Sequence, residues 1–275
     1  LTPADLKRGI DRKELMVFYQ PTVRQFADGT RDIATMEALV RWDHPERGIL
    51  GPETFLEMGE DSGLIGAGTD FVIQQGVEQL KGWRASGLNF GLRVNIAASL
   101  ISDIDFPDRL EHLLAEYQVD PSSLTLEITE TAMLGQHPET FDILTRLRVK
   151  NISLAIDDFG VGYSSLTQLF QMPFNEMKID KSLVFRIPQS NEARIMIDAL
   201  VGLAHNLSLT VCAEGVESEE ALDFLNSIGC DSVQGLLISP PVASTTIPAV
   251  IQQWDRREQL RRSQQARKVS RLAGA

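Results

Sequence analysis

Seven oxygen-rich side chains, Glu37, Asn95, Glu127, Asp157, Asp158, Asp180 and Glu214, stand at or beside the ends of short apolar segments in a chain of 275 residues. One such carboxylate alone reads as a helix cap or a solvated loop residue. Gathered on one rim they would repel one another and raise each other's pKa unless cations neutralised them. The set has neither Cys nor His, and an all-oxygen donor set favours Mg²⁺ or Mn²⁺ over zinc. The adjacent pair Asp157 and Asp158 follows a strand-like apolar run. Successive strand side chains point in different directions, so Asp157 can aim inward while Asp158 turns into the loop, and the two can serve two neighbouring ions.

The elements that must bring these residues together are eight strand candidates at residues 16–20, 33–40, 92–96, 124–128, 154–157, 177–179, 209–213 and 231–234. Stretches with helical spacing lie between most of them, at residues 71–83, 108–117, 140–149, 193–205 and 219–228. Ser218 is placed to cap one helix and Gly229 to stop it. Regular alternation argues a parallel sheet, and eight units argue its closed form, the (βα)8 barrel, whose chemistry sits at the C-terminal ends of the strands. The first connection breaks the rule. PTVRQFADGTRD, between Gln20 and Ile33, is too short for a crossover helix and carries the hairpin signal Asp28-Gly29. The fold class expected is therefore α/β, a modified TIM (βα)8 barrel with the first strand antiparallel to the rest.

Seven motifs then carry a resemblance: MEALVRW around Glu37, RVNIAASL around Asn95, LEITE at 126–130, DDFGVGYSSL at 157–166, KID at 178–180, AEGVE at 213–217 and VQG at 233–235. In this order, from about residue 15 to about residue 241, they resemble the EAL-domain family of cyclic di-GMP phosphodiesterases. The resemblance implies a barrel that opens one phosphodiester bond of cyclic di-GMP to give linear pGpG, using two Mg²⁺ or Mn²⁺ ions per site. Glu37, Asn95, Glu127 and Asp157 would hold one ion and Asp157 with Asp158 the second. Glu214 would join or support the second site, and Asp180 would lie in it or just outside. Lys178, with Glu214, Asp157 and Asp158, would belong to the catalytic group, its charge positioning water or stabilising the transition state. Ca²⁺, larger and more loosely coordinated, is expected to inhibit.

The same resemblance puts Gln20, Leu39, Arg41, Gln234 and Pro240 around the dinucleotide, with the Arg41 fork on a phosphate. Gln234 and Glu217 could equally orient ligands from behind. Glu130 would anchor the loop after the fifth strand candidate, where Gly160 and Gly162 give conformational range, and that loop would carry a homodimer contact. Two positions depart from the family's habit: Val161 replaces a Thr or Ala, and Leu236 replaces an aromatic residue. The alternative reading is a degenerate domain that binds cyclic di-GMP as a non-catalytic receptor, against which stands the presence of every ligand position. A magnesium-dependent barrel acting on a carboxylate substrate would leave the motif set unexplained.

Charge and composition exclude other classes. The net charge is −12, yet residues 252–275 carry seven Lys/Arg against two Asp/Glu, a net +5 that leaves −17 for the rest. An acidic body of this kind is not a nucleic-acid polymer binder. No apolar run approaches the roughly 18 residues of a membrane span; the expected location is the cytoplasm, or the cytoplasmic part of a larger membrane-anchored protein. Cys212 and Cys230 read as reduced packing residues, and His44, His112, His137 and His205 as bystanders. The expected division is a linker or helix from an upstream sensory or receiver domain at 1–14, the barrel at 15–250, and a basic helical tail at 251–275.

Overall fold

The computed structural model describes residues 1–26, 29–133, 138–160 and 171–273. Strands β1 (Leu15–Gln25) and β2 (Arg31–His44) form the expected hairpin, paired from Leu15 opposite Trp42 to Gln25 opposite Arg31 with a one-residue shift of register between Thr22 and Val23. Asp28 lies outside the described residues, and Gly29 has the positive φ of 78° that its turn demands. The strands β4 (Gly91–Asn95), β5 (Leu124–Thr129), β6 (Ser153–Phe159), β7 (Glu176–Ile179), β8 (Thr210–Ala213) and β9 (Ser232–Gln234) follow β2 in parallel order. β9 then meets β1 antiparallel and closes an eight-stranded barrel. Two further strands extend the sheet past the hairpin, β3 (Gly48–Leu50) on β2 and β10 (Val242–Ala243) on β1. At three and two residues they are too short to show a period, which is why the sequence gives no sign of them.

Alternation along the strands separates two environments. Leu92 faces outward onto helix α3 (Ile65–Ala85), so closely that a Cβ on Gly76 would lie 2.8 Å from Leu92 Cδ2. Arg93, the next residue, reaches across the barrel to Glu176 on β7, which is not a sheet neighbour of β4. The outward layer of Leu92, Val94, Leu126, Leu154, Met177 and Val211 is fully buried under the helices and makes the main core. The inward layer carries the polar residues. Besides α3, the covering helices include α4 (Phe106–Tyr117), α5 (Pro138–Val149), the short α6 (Lys181–Val184), α7 (Asn191–Asn206) and α8 (Glu219–Ser227). Ser190 and Ser218 cap α7 and α8 by accepting from the backbone N–H of Ala193 and Ala221.

Both ends of the chain are built onto the barrel. Helix α1 (Pro3–Asp11) opens with a capping box of Thr2 and Asp5, and its Leu6 joins Leu15, Trp42 and Phe55 in a second apolar cluster. Helix α9 (Ile247–Ala273) runs without a break across residue 250. The first half of the basic tail packs on the barrel: Trp254 and Glu258 are buried, Glu258 pairs with Arg31 and Arg261, and Arg257 donates to the Leu237 carbonyl at 2.6 Å. Docking follows from Trp254, whose large apolar surface outweighs the surrounding charges. Among the described residues no helix is long and apolar enough to cross a membrane.

Replacing Trp254 by alanine is expected to cost about 3–5 kcal/mol of stability, read as a lower midpoint of chemical denaturation. An unchanged midpoint would show that α9 does not rest on the barrel in solution.

Candidate functional site

β6 carries the two adjacent aspartates just before its last residue, Phe159. Ordinary alternation would send them to opposite faces, yet Asp158 adopts φ of 56° and the pairing of β6 with β7 slips between Ile156 and Phe159. Asp158 therefore does not leave the strand for the loop, as the sequence leads one to expect. It bulges within the strand, in the left-handed conformation that a short polar side chain tolerates. The bulge turns both carboxylates the same way: oxygens of Asp157, Asp158 and Glu214, the residue after β8, lie within 4.8 Å of one another.

Lys178 on β7 stands at the centre of the group with no exposure. Its ammonium donates to Glu127 Oε2 at 2.7 Å, lies 2.7 Å from Glu214 Oε1 and sits 3.2 Å from Asp157 Oδ2. Burial alone would lower its pKa, but Asp157, Glu127, Glu214 and Glu37 hold it well above the ordinary lysine value. Lys178 is thus a fixed cation and hydrogen-bond donor, and has no lone pair with which to accept a proton.

One lysine does not balance what surrounds it. Burial, only partly offset by Lys178, holds Glu127 well above the usual carboxylate range, and Glu37 and Asp157 add to the effect. Glu214 is pushed up to about 8 by burial, against Lys178 and with Asp157. Asp158 is pushed up to about 6 by burial, then by Asp157 and Asp180. Glu37 goes the other way. Burial opposes its ionisation, yet Lys178 and hydrogen bonds from Gln234 and Asn95, the latter at 2.7 Å, keep it below the ordinary value. Carboxyls that hold protons for want of positive charge, presented as an all-oxygen set, fit hard divalent cations.

The other expected residues divide. Asp180 caps α6 by accepting from the Ser182 N–H at 2.8 Å and stands beside Asp158. Gln234 is buried, takes the Thr22 hydroxyl at 2.9 Å and donates to both Gln20, at 3.0 Å, and Glu37. Gln20 in turn donates to the Ser239 carbonyl at 2.9 Å, next to the exposed Pro240. Leu39, Asn95, Asp157 and Asp158 line a cavity of about 920 Å³. Arg41 is not among its lining residues; it is half-buried above the Phe18 ring, where the charges of Glu53 and Glu37 act on it. Glu217 is exposed between β8 and α8 and is tied to the cluster by no hydrogen bond among the described residues. Glu130 donates its backbone N–H to the Asp157 carbonyl at 3.0 Å, while both oxygens of its buried carboxylate lack a hydrogen-bond partner among the described residues. Val161, Gly162 and the rest of the expected dimer loop lie outside the described residues. Leu236 is 57% exposed.

Two buried charges inside the barrel beside the site are not singled out in the sequence reading, Arg93 and Glu176. The signal was present: Arg93 stands two residues before Asn95 and Glu176 two before Lys178, so period-two alternation puts each on the same inward face.

The comparisons follow the geometry. Residues 4–241 match the EAL domain family model. Over 239 residues the chain is 36% identical to the cyclic di-GMP phosphodiesterase NbdA of Pseudomonas aeruginosa, covering 86% of this chain and 30% of that protein. It is 34% identical to the cyclic di-GMP phosphodiesterase RocR of the same organism, covering 87% and 60%. The solved PaMucR phosphodiesterase in its c-di-GMP complex superposes with a TM-score of 0.82 at 32% identity, covering 89% of this chain and 98% of that one. The chain spans about a third of the length of the first curated relatives it matches, 29% to 36%.

The raised carboxyls of Asp158 and Glu214 give a pH dependence of defined sign. Without divalent ions the native state keeps protons that the unfolded chain has already released, so stability falls as pH rises from about 5 to about 8. Thermal unfolding of chelator-treated protein across that range should show the fall, and added Mg²⁺ should stabilise more strongly at pH 8 than at pH 5. A melting temperature indifferent to Mg²⁺ at pH 8 would count against a cation site here.

Proposed function

The chain belongs to the EAL domain family, and from that premise we propose that it is a cyclic di-GMP phosphodiesterase, opening one phosphodiester bond of the dinucleotide to give linear pGpG. The observation that carries the reading is the convergence of Asp157, Asp158 and Glu214 within 4.8 Å around a buried lysine. Two Mg²⁺ or Mn²⁺ ions, held by Glu37, Asn95, Glu127 and Asp157 on one side and by Asp157, Asp158 and Glu214 on the other, would lower the pKa of a water and neutralise the phosphate.

The chain's own residues set the stage for that chemistry. Asn95 and Gln234 fix the Glu37 carboxylate by donating to its two oxygens. Lys178 holds Glu127, Asp157 and Glu214 in one arrangement and offers a fixed positive charge where negative charge develops. Asp180 steadies Asp158 from α6. Leu39 and Pro240 border the dinucleotide, with Arg41 offering its fork to a phosphate. Glu130, whose backbone N–H holds the Asp157 carbonyl, would anchor the loop that follows β6, through which a homodimer and an upstream sensory or receiver domain would act in the cytoplasm. The relatives' greater length supports such an arrangement.

A receptor that binds without cutting is the other reading, and the convergence of Glu37, Glu127, Asp157, Asp158, Lys178 and Glu214 favours catalysis over it. Incubation with cyclic di-GMP and Mg²⁺ or Mn²⁺, followed by chromatography, should yield pGpG; intact dinucleotide with tight binding would identify the receptor. Folded Asp157→Asn is expected to lose roughly 10³-fold or more in kcat, several kcal/mol of transition-state stabilisation, and near-normal turnover would sink the assignment. Ca²⁺ in place of Mg²⁺ should support binding of the dinucleotide and suppress its cleavage.

A further inference from the structure

A second polar layer lies beneath the carboxylate cluster. Arg93 on β4 and Glu176 on β7 are 5% and 6% exposed. The Arg93 guanidinium is held at three points: Nε donates to Thr35 Oγ1 on β2 at 2.7 Å, Nη2 to Glu176 Oε1 at 2.9 Å, and Nη1 to Glu127 Oε1 on β5 at 3.3 Å. Lys178 occupies the other oxygen of Glu127, Oε2, at 2.7 Å. Glu127 has no solvent exposure, so these two cations, one from below and one from the centre of the cluster, flank its carboxylate. The guanidinium is planar with its donors in a rigid fork. Once Thr35 and Glu176 hold two of its edges, the direction of the third is settled. Each oxygen of Glu127 keeps a further lone pair for a cation.

We propose that Arg93 is a positioning residue of the phosphodiester-cleaving site: anchored by Thr35 and Glu176, its fork fixes the orientation in which Glu127 presents its carboxylate to a divalent cation. The inference rests on the phosphodiesterase reading for its role in the reaction. A buried ion pair is weak evidence of stabilisation in itself, since apolar replacements often do as well. A pair that ends on a candidate ligand has a different use, because partners behind a ligand set its direction and commonly change metal affinity by about 10- to 100-fold.

Arg93→Lys tests this, since it keeps the charge and removes the fork. Calorimetric titration with Mn²⁺, without dinucleotide, on the folded variant should show affinity reduced about tenfold or more. Thr35→Val, which removes only the acceptor of Nε, should shift Mn²⁺ affinity in the same direction by less, and it decides the matter if Arg93→Lys fails to fold. Affinity within about threefold of the parent in the folded variant, or a lower melting temperature with unchanged affinity, would make Arg93 a structural ion pair and overturn the proposal. A parent that binds Mn²⁺ and leaves cyclic di-GMP intact would instead overturn the phosphodiesterase reading alone.

Discussion

Inside the barrel, the Lys178 ammonium has no contact with solvent and lies within 3.2 Å of Glu127, Asp157 and Glu214. Taking such an ion out of water costs several kcal/mol unless opposite charges and good hydrogen bonds compensate. The carboxylates face the same cost, and one lysine cannot compensate all of them, as the raised Glu127, Glu214 and Asp158 show. A barrel interior is ordinarily filled by branched apolar side chains. Here that filling is given up at the C-terminal end, leaving a site whose charge is completed only when further cations arrive.

The irregular first strand serves this site directly. Antiparallel pairing sets Gln20 opposite Glu37 and Thr22 opposite Gln234. Those four side chains form one hydrogen-bonded group in which Thr22 fixes the Gln234 amide and Gln234 fixes Glu37. β1 contributes to the rim from the opposite chain direction, with the amide of Gln20 joining the group. Further in, Arg93 with Thr35 and Glu176 repeats the principle from beneath, tying β2, β4 and β7 to Glu127 on β5.

Much of this was legible in the sequence. Leu92, Val94, Leu126 and Leu154 mark the strands because a layer buried under helices must be apolar at every second position, and the acidic residues at strand ends mark the rim. The hairpin was legible from Asp28-Gly29. The bulge at Asp158 was not, since a left-handed aspartate is one of several conformations that Asp-Asp-Phe-Gly allows, and tertiary pairing with β7 selects it. Arg93 escaped notice because one basic residue in a strand reads as solvated until a partner three strands away is known to face it. Trp254 lay hidden among charges of α9, where burial depends on the surface it meets. Glu217, to which the resemblance gives an orienting role, is exposed in the turn after β8.

The central claim is that the excess of carboxylate over Lys178 is neutralised by two divalent ions. Mn²⁺ binding followed by electron paramagnetic resonance of the free ion, at pH 7.5 in the parent with a non-hydrolysable dinucleotide, counts them directly. The account predicts two ions per chain at saturation in the parent. A single ion per chain, or none, would contradict it.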